Sequence, residues 1–103
     1  MTYANVSTFD AVPGKRDELV VHLTSSKPGL TAAGCLSYEV GVSEDQPDTV
    51  FVSELWTSAE AHRGSLELPE VREAIAAARP LISGRSGGFA FDVVGSPLRA
   101  GDR

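Results

Sequence analysis

The sequence predicts one α+β domain: a four-stranded antiparallel sheet with helices packed against one of its faces. Three observations carry this. Apolar and polar residues alternate at Leu36–Val42 and again at Phe89–Val93, the period-two mark of a strand. Leu68, Val71, Ile75, Ala78 and Ile82 step by three and four, the spacing of one helical face. Pro-Gly and Gly-rich breaks divide the chain so that its elements run strand, helix, strand, strand, helix, strand. That order is the split βαβ, ferredoxin-like arrangement.

Residues 3–10 form the first predicted strand, mixing β-branched and aromatic with polar side chains. Pro13-Gly14 breaks it, and Pro13 suits the opening turn of a helix. From Lys15 a helix is expected, with Leu19, Val20 and Leu23 on its buried face and Lys15, Arg16, Asp17 and Glu18 in water. Pro28-Gly29 ends or interrupts it. Ala33-Gly34 leads into the second strand, and Glu44 to Asp48 is a polar turn of a hairpin. The third strand is 49–56, with Val50, Val52, Glu54 and Trp56 on one face. Thr57-Ser58-Ala59-Glu60 has capping-box spacing, so a short helix should start with Thr57 as its cap. A second helix opens at Leu68-Pro69-Glu70, and Pro80 should kink or end it. Gly84 to Gly88 reads as a flexible loop before a last strand over Phe89–Val93. The domain is therefore expected to cover residues 1–95, with 96–103 as a flexible tail. Such a sheet leaves one face without helices, and the large residues available to it predict cover by a second copy of the chain.

The bulk numbers exclude several functions. With 103 residues, 42% apolar and 22% charged, the chain has the composition of one ordinary globular domain. A net charge of -5 with scattered Lys and Arg argues against a nucleic-acid partner, because phosphate contacts need clustered cations. The lone Cys35 rules out an internal disulfide and a zinc site built on several thiolates, and it reads as a small buried hydrophobe. The N-terminus lacks a basic region followed by an apolar run, and no apolar stretch approaches the ~18 residues of a membrane span. A cytoplasmic protein with no membrane partner is the expectation.

Four segments together resemble the antibiotic biosynthesis monooxygenase family, which includes quinol and anthrone oxygenases. They are Val12-Pro13-Gly14-Lys15, Gly34-Cys35-Leu36-Ser37-Tyr38-Glu39, Glu54-Leu55-Trp56-Thr57-Ser58-Ala59-Glu60-Ala61, and Pro69-Glu70-Val71. Their order and spacing extend the resemblance from residue 3 to about residue 95. It implies a dimeric α+β barrel with a pocket between sheet and helices in each subunit. It also implies oxidation of fused, electron-rich phenols by molecular oxygen, with no metal, flavin or other cofactor. In that chemistry deprotonation makes the substrate its own reductant. The protein supplies an apolar cavity, a group that takes or steers the proton, and hydrogen bonds to the oxyanion. The sequence departs from the family's pattern at three positions. Ser65 stands where many members have a His, His62 where anthrone oxygenases have a Tyr, and Val52 where they have an Asn.

Candidate catalytic residues are Trp56, His62 and Asn5. Trp56 is either a wall that orients a flat ring and donates through its indole N–H, or core packing. Histidine in general can exchange a proton near neutral pH, and His62 is either a proton acceptor or donor facing the pocket or a surface side chain. Asn5, an amide in mid-strand, is either an oxyanion group or an edge side chain in water. Candidate substrate-binding residues are Tyr38, His22, Phe51 and Phe89. Tyr38 is otherwise a core residue, His22 a partly buried structural one, and the two phenylalanines core or dimer interface. Glu54 is expected in an interface salt bridge. His22 and His62 form no metal site, since no spacing or third ligand supports one.

The expected function is cofactor-independent oxidation of a polycyclic phenol, anthrone or quinol, with a small aromatic substrate and molecular oxygen as partners and a homodimer as the working unit. The alternative from another class is a dimeric barrel that holds a small ligand without turnover. Haem degradation, seen in a related branch that resembles this chain in its early-strand Asn, ranks last. It needs a haem-ligating His late on the last long helix, and no His follows His62.

Overall fold

The structure, a computed structural model, describes residues 1–99. The chain runs β1 (Thr2–Ala11), α1 (Arg16–Thr24), α2 (Gly29–Ala33), β2 (Cys35–Ser43), β3 (Gln46–Trp56), α3 (Ala59–Ser65), α4 (Pro69–Ala78), a 3₁₀ turn (Arg79–Leu81) and β4 (Ile82–Val93). The strands form one sheet in the order β2-β3-β1-β4, every neighbouring pair antiparallel. This is the predicted ferredoxin-like α+β architecture. No described helix is long and apolar enough to cross a membrane.

Register decides which side chains meet. Asn5 lies opposite Glu54 on one side and Ala90 on the other, and Phe9 lies opposite Val50 and Ser86. Tyr38 completes the row at Glu54 from β2. With period two, Tyr3, Asn5, Ser7 and Phe9 therefore share a face with Val50, Val52, Glu54 and Trp56. The helices cover this face. Leu19 of α1 and Val50 and Val52 of β3 are buried, and they join Ala11, Ala78 and Leu81 in the core. The predicted face of α1 is confirmed, with Val20 and Leu23 packed at the core's margin.

The opposite face has no helix. Ala4, Val6, Phe89 and Phe91 of β1 and β4 lie on it, beside Leu55 and Phe51 of β3. Phe89 is 64% exposed and Phe91 49%, their rings stacked with centroids 6.3 Å apart.

Three local expectations are corrected, and the expected break at Pro28 is borne out with an added helix after it. Gly84 to Gly88 is strand and not loop, since β4 starts at Ile82 and pairs with β1 through Gly87 and Gly88. Pairing with an ordered neighbour outweighs the poor strand propensity of glycine here. Gly88 has φ +138°, and a Cβ there would strike the Val6 carbonyl, so the close approach itself needs glycine. The cap of α3 is Ser58, one residue later than predicted, its hydroxyl accepting from Ala61 N at 3.0 Å. Thr57 is held outside the helix because its N–H donates to the Gly34 carbonyl. The break at Pro28 is followed by a short second helix, α2, which Gly34 terminates at φ +109°. Leu36 leaves the predicted β2 face at a bulge between Cys35 and Ser37 and stands 54% exposed. As predicted, Pro80 marks the end of α4, which passes into the 3₁₀ turn. Of the expected 96–103 tail, residues 96–99 make a turn with a Ser96–Arg99 bridge, and 100–103 lie outside the described residues.

Candidate active site

The site is assembled where β3 ends and α3 begins. Trp56 is the last residue of β3 and only 1% exposed. The chain bends at Thr57 and Ser58, itself extended, caps α3, so His62, one turn on, is carried back over the sheet, its N–H donating to the Ser58 carbonyl at 3.2 Å. The Trp56 and His62 rings meet edge to face, centroids 5.4 Å apart, and Tyr3 flanks the imidazole at 5.8 Å. Buried Ser65 closes α3 by donating its hydroxyl to the His62 carbonyl at 2.6 Å.

Glu54 is the hub. The Trp56 indole N–H donates to its Oε1 at 3.0 Å and the Asn5 amide donates to its Oε2 at 3.2 Å. Asn5 Nδ2 is also 3.5 Å from His62 Nε2, which stands 4.0 Å from Glu54 Oε1. The Glu54 side chain is 10% exposed and that of His62 19%, so the pair is largely withdrawn from water. A carboxylate in such a place needs donors, and two neutral ones hold it in a single orientation. That geometry fixes the carboxylate beside the imidazole, Oε1 4.0 Å from His62 Nε2.

Glu54, Trp56 and His62 open onto a cavity of about 470 Å³ between sheet and helices. This falls within the ~300–1,000 Å³ typical of small-molecule sites. The sheet contributes Phe9, Tyr38, Ile82 and Ser86 to the lining, α1 contributes Leu19 and Leu23, and α4 contributes Val71, Ala74, Ile75 and Ala78. Ile75 is 40% exposed although it belongs to the apolar stripe of α4, because that stripe faces the cavity as well as the core. Lys27, Leu30, Ser65, Leu66 and Arg79 complete the lining.

Burial pushes the Tyr38 phenol up to about 12, with the charges of Glu54 and Cys35 adding to it. At neutral pH Tyr38 is therefore a hydroxyl donor and not a base. Burial, then the Glu54 charge, also raises the Cys35 thiol, so nothing activates it as a nucleophile. Burial lowers the Lys27 amine, an effect that the charge of Glu70 opposes.

Of the residues singled out from the sequence, Trp56, His62 and Asn5 converge on Glu54, and Tyr38 lines the same cavity. The Trp56 indole N–H is committed to Glu54, so it orients the carboxylate and not a ligand. Phe51 and Phe89 lie on the sheet's other face and are not part of this cavity. His22 sits near the end of α1, its carbonyl accepting from Ser25 and Lys27, and it is not among the lining residues. Glu54 was expected in an interface salt bridge. The sequence signal that it shares a face with Trp56 was present, but not that Asn5 and His62 would arrive at the same carboxylate. Among the described residues, no three His, Cys, Asp or Glu side chains are grouped so as to hold a metal ion.

Comparison with known proteins agrees with this architecture. The sequence profile of the family described as "Antibiotic biosynthesis monooxygenase" matches residues 2–77. A crystal structure from Chloroflexus aurantiacus J-10-fl, named for the same family, is 36% identical, covering 96% of this chain and 100% of its own with a TM-score of 0.75. A Deinococcus radiodurans structure named likewise is 25% identical, covering 93% of this chain and 95% of its own at TM-score 0.73. A Mycobacterium tuberculosis structure, 19% identical, covers 94% of this chain and 99% of its own at TM-score 0.79 and shows the fold alone. Among curated proteins none matches the chain significantly.

Proposed function

Starting from the fact that the chain belongs to the antibiotic biosynthesis monooxygenase family, we propose that it oxidises a polycyclic phenol, anthrone or quinol with molecular oxygen and without a cofactor. The observation that carries this is the His62–Glu54 pair opening onto an apolar cavity. His62 takes a proton from the bound ring system, and Glu54, held by Asn5 and Trp56, stabilises the imidazolium. The electron-rich carbanion or phenolate then reduces oxygen. For an anthrone, one oxygen atom enters the ring as the new carbonyl and the other leaves as water with the two hydrogens of the oxidised methylene. Tyr38 donates its hydroxyl to the developing oxyanion.

The working unit in this proposal is a homodimer whose subunits pair through the helix-free face. Phe89 and Phe91 are exposed side by side there, and contiguous apolar surface of that kind marks an association site. One feature favours the competing reading, a barrel that holds an aromatic ligand without turnover. The indole and amide donors of the network are spent on Glu54, which leaves few for an oxyanion.

The test is oxygen uptake by metal-stripped protein offered anthrones and dihydroxynaphthalenes, corrected for autoxidation. Uptake with quinone formation is expected, falling about 100-fold or more in His62→Ala and Glu54→Gln, the scale of a lost general base. No uptake above background, with tight binding of the same compounds, would establish the non-catalytic barrel instead.

A further inference from the structure

The polar groups lining the cavity divide into those already spoken for and those that are not. Glu54 accepts from Trp56 and Asn5, Ser65 donates to the His62 carbonyl, and Lys27 donates to the His22 and Ser25 carbonyls and the Ser25 hydroxyl. Three lining side chains make no hydrogen bond or ion pair among the described residues: Tyr38, Ser86 and Arg79. These are the groups available to a ligand.

The three fall at two levels of the sheet. Tyr38 is in the row of Asn5 and Glu54, next to the His62 pair. Ser86 is in the row of Phe9. Arg79 begins the 3₁₀ turn that Val12 anchors through its N–H to the Leu81 carbonyl at 2.8 Å, just beyond that row. From Asn5 to Phe9 is four residues of regular strand, about 13 Å. Between these levels the walls are apolar, with Leu19, Leu23 and Ala78 facing Phe9 and Tyr38 across the space.

We infer that the ligand is an elongated aromatic acid: a fused-ring body whose reacting end lies at His62 and Tyr38 and whose carboxylate, at the far end, is received by Arg79 with Ser86 beside it. This rests on the aromatic-cavity reading above and adds the anion to it. The chain's net charge of -5 makes a cation at the cavity rim the feature that would draw an acid in against the general field. A planar guanidinium with no carboxylate partner of its own offers two parallel N–H donors to such a group.

The experiment compares an anthraquinone carboxylate with its carboxamide, two product-like probes of one shape differing in charge. Binding is followed by quenching of Trp56, the chain's one tryptophan. The carboxylate should bind about fivefold more tightly, the scale of a solvent-screened ion pair. Arg79→Gln should abolish that preference, Arg79→Lys should keep part of it, and added salt should shrink it. Arg79 is exposed, so the variants should fold as the parent does, which circular dichroism checks. Equal binding of the two probes by the parent, or a preference that survives Arg79→Gln, overturns the anion while leaving the aromatic cavity standing. Failure of both probes to bind overturns the cavity reading and this inference together.

Discussion

The two faces of the sheet come from the same alternating strands and have opposite contents. The helix-covered face holds Asn5, Glu54 and Trp56, polar groups whose hydrogen bonds close on one another beside a cavity. The bare face holds Ala4, Val6, Phe89 and Phe91, of which the two phenylalanines are exposed. The covered face also keeps the apolar core of Leu19, Val50 and Val52 beside that cluster, whereas a self-sufficient monomer would carry polar side chains in place of the exposed phenylalanines. The domain thus accepts polar groups inside where they hold one another beside the cavity, and apolar surface outside where a second copy is proposed to cover it.

The largest effect is expected from emptying the covered face. Trp56→Ala should lower stability by about 3–5 kcal/mol, read as a fall in the thermal midpoint. Because the indole N–H also orients Glu54, Trp56→Phe should restore most of that stability without restoring oxygen uptake. Equal recovery of both would remove Trp56 from the orienting role.

A smaller effect comes from the buried phenol. Tyr38 has its ordinary pKa of 10.0 in the unfolded chain and about 12 in the folded one. Below pH 10 its contribution to stability is intact. As pH rises further the unfolded chain gives up that proton first, so stability falls until the folded phenol also ionises. The loss is on the order of 2–3 kcal/mol. Denaturant midpoints measured up this range should fall less steeply in Tyr38→Phe, and an unchanged slope would place the phenol in water.

The smallest expected cost to a single subunit lies on the bare face. Changing Phe89 and Phe91 together to Ser should alter the stability of one subunit by no more than about 0.5 kcal/mol each, as for other exposed sites. It should also convert a dimer to a monomer in sedimentation, with ligand binding in the cavity retained. A double variant that still sediments as the parent would show that this face is not where copies meet.

Much of the fold was legible because hydrophobic period reports burial directly. The alternation at Val50, Val52, Glu54 and Trp56 placed all four on one face, and the α1 stripe of Leu19, Val20 and Leu23 packed as read. Glycine was misread where partners matter: Gly87 and Gly88 have loop propensity, yet pairing with Ser7 and Thr8 makes them strand. The site was legible only in its members. Trp56, His62, Asn5 and Tyr38 could each be picked out by residue type, whereas Phe51 and Phe89 could not be assigned a face without the register.

The α+β class, the order of the main elements, the common face of Val50, Val52, Glu54 and Trp56 and the resemblance to the family could all be read from the amino-acid sequence. These depend on local periodicity and on the spacing of motifs along one chain. Only the tertiary structure decided that Glu54 is the hub, that the Trp56 indole is committed to it, and that Phe89 faces away from the cavity. Asn5 is 49 residues from Glu54 and 57 from His62, so their meeting is a product of strand register and of the angle at which α3 returns over the sheet. A shift of one residue in β1 would send Asn5 to the other face, and the same shift in β3 would send Glu54 and Trp56 there.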